Sequence, residues 1–493
     1  MGREEDVTRS TELPTHTLHR LTSYSHEREW TEVVDDARLV QDLVPNDMTR
    51  RPMAYKRYDD DLPRILLPQD LPASATPATA VLAGTAEVPA ARLDLAALAR
   101  LLYLSSGVTR RTTRPDGSLV LFRAAGSAGA RFPLELYVAA PRGSGTDVPP
   151  GLHCYDPEAH SLVTVGPPPL GEAPTVVVTG LPWRTGWRYR ERGFRHIYWD
   201  AGTMLSQLLA LADSAGVPAR LITTFPDAEV AALVGADRVR EFPVAVVALG
   251  SGDPALHPTG DAMPGHHDAD GLEFPLVTAA QRAGERDALG AELGRGPAVT
   301  LVGDAASGPG TDEVVLSKGS IRRLHVDRPV TRELLIDSMN ASMRGVDVPH
   351  WVAANAVEGM EPGIYRWPDL ETPVRALDEA TLRKELHTVA LDQGLAHDAA
   401  FVVISGAALD ALDDHGYREA QLLAGLVEGR LHLMAYALGA AASGMTFLDS
   451  DIPGLLGADV ACLLWTCVGV PEYRTRPSGT PGSPADVHIV WPR

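Results

Sequence analysis

One feature constrains this chain more than any other: it repeats itself. Phe194, Arg195, Ala201, Gly202, Leu208, Ala212 and Gly216 are answered, at a constant separation of 223 residues, by Tyr417, Arg418, Ala424, Gly425, Leu431, Ala435 and Gly439. Apolar residues spaced by three and four form the stripe of a largely buried helix, and each copy ends at a glycine of the C-cap type. The small residues inside each copy let another helix backbone approach closely. The match continues as Phe225-x-Asp227 answered by Phe447-x-Asp449, with Val230, Leu233, Gly235 and Asp237 answered by Ile452, Leu455, Gly457 and Asp459. There the separation slips to 222.

Each copy then runs into a short apolar stretch, Phe242 to Leu249 and Cys462 to Val468, of the length and composition of a buried strand. Coincidence between two Ala/Leu-rich helices does not produce the same ordered run twice. We therefore expect an α+β chain of two duplicated domains with antiparallel-type sheets flanked by helices. Ser251 to Gly319 is dense in Gly, Pro, Asp and Ala and reads as a linker or surface excursion. This divides the chain into an N-terminal extension (1–80), a first domain (81–250), a linker region (251–312) and a second domain (313–493). In the linker, His266-His267-Asp268 reads as a solvated loop rather than a metal site, and Gly294-x-Gly296 lacks both a third glycine and a preceding strand.

Composition removes several classes of function. With 44 Lys and Arg against 64 Asp and Glu, the net charge of −20 leaves no excess of cations to track a nucleic-acid backbone or an anionic membrane. Cys154, Cys462 and Cys467 form no C-x-x-C pair, so neither a disulfide framework nor a structural zinc site is expected. The first residues lack the apolar core of a signal peptide, and Leu431 to Leu448 is broken by Gly439, Ser443 and Gly444. The expected setting is the cytoplasm, with no membrane span.

Two local patterns carry chemistry. Lys318-Gly319-Ser320-Ile321-Arg322, ahead of an amphipathic helix from Thr331 to about Arg344, alternates cations with a hydroxyl, a donor set suited to a phosphate monoester. A second basic pair, Arg474 and Arg476, follows the last strand and could converge on the same anion. By itself a basic turn is more often a solvated surface. The first half has no base at the equivalent place, Leu82 to Val88, but carries a turn of small residues, Gly126-Ser127-Ala128-Gly129, before an expected strand from Phe132 to Ala140. Such a turn exposes backbone N–H groups to a flat ligand. A hydrolase nucleophile elbow at Ser127 would need a helix, not a strand, directly after it.

In this order the residues resemble the flavin-dependent nitroreductase-like superfamily and, within it, the SagB/ThcOx-type peptide azoline dehydrogenases. The resemblance runs through Ser25-His26-Glu27, Lys56-x-Tyr58, Leu67-Pro68, the Leu98 to Val108 helix, the Gly126 to Tyr137 segment and Arg188-Tyr189, with a second nitroreductase-type domain after them. It implies FMN as cofactor. The family's phosphate turn maps to Lys318, Ser320 and Arg322 with Arg474 and Arg476, and its small-residue turn to Gly126, Ser127, Ala128 and Gly129, with Gly in place of Pro. Gln393 stands where the family contacts the flavin ring, and Gly444-Met445-Thr446 resembles the loop near its reactive nitrogen. The halves are degenerate in complementary ways, which suggests one FMN site in an intramolecular pseudo-dimer; chains pairing as a homodimer are the alternative.

Azoline oxidation needs a base beside the flavin, and the family's Lys-Tyr pair is Arg188-Tyr189 here. A guanidinium cannot give up its proton at working pH, so Tyr189 is the expected base, with Arg188 lowering its pKa or orienting the substrate. The resemblance further implies a modified precursor peptide as substrate and a cyclodehydratase as companion. Three readings follow: an FMN-dependent azoline dehydrogenase, an NAD(P)H-dependent small-molecule flavin or nitro reductase, and a non-catalytic scaffold in a peptide-modifying complex.

Overall fold

The computed structural model describes residues 12–26, 48–269, 271–304 and 307–491. Its strands are β1 (Arg64–Leu66), β2 (Val108–Thr113), β3 (Leu119–Arg123), β4 (Leu134–Ala140), β5 (Gly151–Asp156), β6 (Ser161–Gly166), β7 (Thr175–Gly180), β8 (Ala219–Ile222), β9 (Phe242–Leu249), β10 (His350–Ala354), β11 (Gly363–Arg366), β12 (Arg375–Ala376), β13 (Phe401–Ala407), β14 (Ala441–Met445), β15 (Ala461–Gly469) and β16 (Ala485–Asp486). The first sheet has the order β1-β6-β5-β4-β7-β9-β8 and the second β12-β11-β10-β13-β15-β14. Without the added edge strand β1, the two orders are the same topology written twice, all antiparallel. The repeated apolar stretches are β9 and β15, next-to-edge strands buried almost throughout, which is why their sequences show continuous rather than alternating hydrophobicity.

The repeated helices are the two longest, Gly193–Ser214 and Asp414–Ala437. The Asp413 carboxylate caps the second by accepting the Gly416 N–H at 2.6 Å. Gly216 (φ +68°) and Gly439 (φ +81°) follow their C-termini in the left-handed conformation that favours glycine. The one-residue slip lies just beyond, where Val217-Pro218 leads into β8 but Ala440 alone leads into β14.

These helices cross each other at the repeat's own glycines. A methyl on Gly202 would stand 2.6 Å from the Gly425 carbonyl carbon, and one on Gly425 would stand 2.7 Å from Trp199 Cα. Leu205, Leu208, Leu422, Leu426, Leu433 and Met434 join one core across the crossing. Around it the repeat pairs with itself: Arg195 reaches Asp449 at 2.6 Å while Arg418 reaches Asp227 at 2.8 Å, and the Phe194 and Tyr417 rings stack at 6.2 Å. Each half thus offers its arginine to the other half's Phe-x-Asp segment.

The stretch expected as a linker is packed. It carries the helix Pro275–Ala283 and is held by backbone bonds from Leu293 to Leu221 and from Val299 to Ala83. Within its histidine pair, His266 Nε2 lies 2.8 Å from Asp59 and the His266 backbone N–H donates to the Arg57 carbonyl. At the far end β16 pairs parallel with β2, so the C-terminal segment of the second half closes on a hairpin of the first. Among the described residues no helix is long and apolar enough to cross a membrane.

Forcing a side chain into the crossing tests its role. Gly425→Ala is expected to lower stability by about 2 kcal/mol or more in urea unfolding. Gly454→Ala, whose added methyl meets nothing within 4 Å, is the control and should be near neutral.

Candidate functional site

The small-residue turn follows β3 and folds as a single 3-10 turn, Ala128–Ala130, with Gly129 at φ +58°. What shapes it is Asp200 of the first long helix. The carboxylate accepts the Ser127 hydroxyl at 2.5 Å and the Ala128 N–H at 3.0 Å, and Ser127 Oγ in turn accepts the Phe132 N–H at 2.7 Å. Burial pushes the Asp200 carboxyl up to about 8, against the pull of those two donors. A methyl on Gly126 would meet nothing within 4 Å, so this side of the turn faces open space.

The other side of the turn meets Tyr189. A methyl on Gly129 would stand 2.7 Å from the Tyr189 hydroxyl, and the Tyr189 ring stacks on His196 with centroids 4.0 Å apart. Tyr189 ends the helix Pro182–Tyr189 and is half-buried, not part of a surface loop. Arg188 is exposed, with its guanidinium 5.7 Å from the Tyr189 ring centre. The expectation that Arg188 depresses the phenol pKa holds only as the weaker effect. Burial raises it, and the charge and hydrogen bond of Arg188 offset that in part.

The two basic turns are neighbours. A methyl on Gly319 would stand 2.6 Å from Thr475 Cγ2, between Arg474 and Arg476. Arg110 of β2, a residue the sequence did not single out, ties them together by donating to the Arg476 carbonyl at 2.8 Å and the Lys318 carbonyl at 2.8 Å. Tyr436 completes the tie, accepting the Gly319 N–H at 3.1 Å and donating to its carbonyl at 2.6 Å. Ser320, Arg322, Arg474 and Arg476 are exposed, whereas Lys318 is buried and its ammonium donates to the Ala124 carbonyl at 3.2 Å. Burial and Arg110 pull Lys318 down to about 7. That bond joins the second half's basic turn to the first half at Ala124, between β3 and the small-residue turn.

The second long helix adds Glu428, which accepts the Thr203 hydroxyl at 3.2 Å and lies 3.6 Å from His432. It occupies the room left by the missing side chain of Gly444, which sits in β14 beside Met445, with Thr446 just after the strand. Gln393 is not drawn into this group. It is exposed at the start of the helix Gly394–Asp398, and its Nε2 donates to the nearby Ala390 carbonyl at 3.1 Å. Of the N-terminal stretch carrying the resemblance, Glu27 lies outside the described residues.

Four polar residues on one side of the helix crossing are not repeated on the other. Under the repeat's own correspondence, Asp200, Thr203, Glu428 and His432 answer to Leu423, Leu426, Leu205 and Leu209. The counterpart of the Lys318 turn is also filled. Arg344 donates to the Leu82 carbonyl at 2.6 Å and to the Pro297 carbonyl at 3.0 Å, and a methyl on Gly84 would overlap its guanidinium.

Residues 123–251 match the family model described as Nitroreductase family. The chain is similar to a protein of Methanocaldococcus jannaschii provisionally assigned as a nitroreductase, 27% identical over 173 residues, covering 32% of this chain and 81% of that one. Its fold is similar to a crystal structure from Anabaena variabilis with the same provisional assignment, at 23% identity over 93% of this chain and 100% of that one, TM-score 0.69. A microcin synthetase complex from E. coli aligns at 17% identity over 48% of this chain and 91% of that one, with a TM-score of 0.28 that supports no functional argument. The chain therefore carries a nitroreductase-family domain at 123–251 within a nitroreductase-like α+β fold.

Asp200 predicts a pH dependence. A carboxyl raised from 3.8 to about 8 in the folded chain binds more protons there than when unfolded, so its contribution erodes stability as pH rises from about 4 to about 8. Urea midpoints at pH 5 and pH 8 should differ less in Asp200→Asn than in the parent.

Proposed function

We propose that the chain is an FMN-dependent oxidoreductase with one flavin site, built at the seam between its halves. The observation that carries this reading is the meeting of the Lys318 and Arg474–Arg476 turns, tied by Arg110, with the other half at Ala124, two residues before its Gly126–Gly129 turn. The residues fit such a group. Lys318 is a buried ammonium whose hydrogen-bond acceptor is a neutral carbonyl, with hydroxyl and guanidinium donors exposed beside it, and the glycine turn faces open space. Lys318, Ser320, Arg322, Arg474 and Arg476 would hold the phosphate, and Gly126, Ser127, Ala128 and Gly129 would line the ring. Bound there, FMN would supply a two-electron acceptor. The Leu-for-polar replacements and Arg344 on the opposite side support a single site in an intramolecular pseudo-dimer.

On the substrate, the resemblance supports oxidation of azolines in a ribosomally made precursor peptide, with a cyclodehydratase as companion in the cytoplasm. In that reaction Tyr189 must take a carbon-bound proton, which requires its phenolate, and Arg188 is the charge that favours it. A second reading is favoured by a specific observation: the raised phenol pKa keeps Tyr189 protonated near neutral pH, which suits a donor to the substrate of a small-molecule reductase.

Flavin released from purified protein should amount to about one FMN per chain, as expected of a tight phosphate clamp, and Arg322→Ala should lower that occupancy with folding intact. Two per chain would exclude the single site. If Tyr189 is the base, kcat/KM for azoline oxidation climbs with pH above neutral and collapses in Tyr189→Phe. An NADPH-driven turnover that survives in Tyr189→Phe would favour the reductase.

A further inference from the structure

The flavin-site reading leaves one buried titratable group without a task. Asp200 is 5% exposed, sits in the middle of a helix that packs against another, and has no arginine or lysine bound to it among the described contacts. Desolvating a carboxyl without a cation beside it is costly, and its replacement by an apolar residue is often neutral or stabilising. The chain itself makes that replacement at the related position, where Leu423 stands. The cost is borne on one side only.

That side is the one that holds the small-residue turn. Asp200 takes the Ser127 hydroxyl and the Ala128 N–H, and Ser127 relays the hold to the Phe132 N–H, so a single carboxylate fixes both ends of a turn whose Gly129 and Ala130 are at positive φ. Alanine at φ +54° is strained without such a hold. Among the described residues the second half has no counterpart of the turn's β2–β3 hairpin, and Leu423 stands in place of the carboxyl. We propose that Asp200 is a positioning residue for flavin: it presents the 126–130 turn in the shape that receives the isoalloxazine, and its loss on the other side is part of why that side takes none. This rests on the flavin-site reading above.

The test compares Asp200→Leu, the residue of the related position, with Asp200→Asn in the full chain. The Leu variant should melt at or above the parent's temperature at pH 8, because a buried carboxylate has been removed, yet hold FMN about 10- to 100-fold more weakly, the loss of a charge-assisted hydrogen-bond pair. The Asn variant, still able to accept the Ala128 N–H, should fall between. A residue that only supports the fold would give the opposite split, a lower melting temperature with unchanged FMN affinity, and that result would overturn the proposal. If the parent binds no FMN, the flavin-site reading fails, and hydrogen exchange at the Ala128 and Phe132 amides still decides whether Asp200 shapes the turn: faster exchange in either variant supports it, unchanged exchange overturns it. Should the Leu variant not fold, the Asn variant and Ser127→Ala carry the same comparison.

Discussion

Everything in this molecule hangs on the contact of two helix backbones at Gly202 and Gly425. Close approach of that kind admits no side chain, and it brings the flanking turns of the Gly193–Ser214 and Asp414–Ala437 helices within reach of the opposite half. The reciprocal pairs Arg195–Asp449 and Arg418–Asp227 are the consequence. Such buried ion pairs add little net stability, because desolvation offsets most of the attraction, but breaking one strands a charge at a cost of about 3–5 kcal/mol. Their work is to fix register. The two pairs are reciprocal, each half giving an arginine and receiving one at the related positions.

The N-terminal helix Pro14–Thr22 uses the same junction. Thr15 donates to Asp414 of the second half, while Arg192 and Arg195 of the first donate to the carbonyls of Thr22 and His19. Tyr24 then lies over the Arg192 guanidinium at 4.2 Å and donates its N–H to Asp449. The segment thus touches both halves at once, and Asp449, which the repeat already marks, gathers the Tyr24 N–H together with Arg192 and Arg195.

How much of this is legible in sequence depends on the range of the interaction. The helices, their terminal glycines and the strands β9 and β15 are encoded locally by periodicity and turn chemistry, so the repeat exposes them directly, down to the one-residue slip before β8 and β14. The basic and small-residue turns also stand out, because unusual composition is local. Their connection does not: Arg110 reads as one charged residue in a surface-like strand, and only the tertiary fold sends it to the carbonyls of Lys318 and Arg476. Asp200 and Glu428 are hidden likewise inside helices whose periodicity announces burial but not which residue faces a neighbour. The pKa of Tyr189 shows the limit from another direction, since Arg188 beside it in sequence argues for a depressed value and burial outweighs it.

The site's charge follows from the same geometry. A chain of net charge −20 repels anions at long range, so it cannot gather a phosphate by steering. A phosphate bound as proposed would be held by close donors in a poorly screened setting, where a charge-assisted hydrogen bond is about twice as strong as a neutral one. Lys318 shows that setting, as an ammonium buried far enough to lose part of its affinity for its own proton. An anion that arrived beside it would restore that affinity, so the ligand and the proton would be bound together. The second long helix contributes Glu428, whose charge acts on the same ammonium in the direction opposite to burial, while Arg322, Arg474 and Arg476 stay exposed. The two flanks of the crossing differ in what they bury: where one has Asp200, Thr203, Glu428 and His432, the related positions of the other are Leu423, Leu426, Leu205 and Leu209.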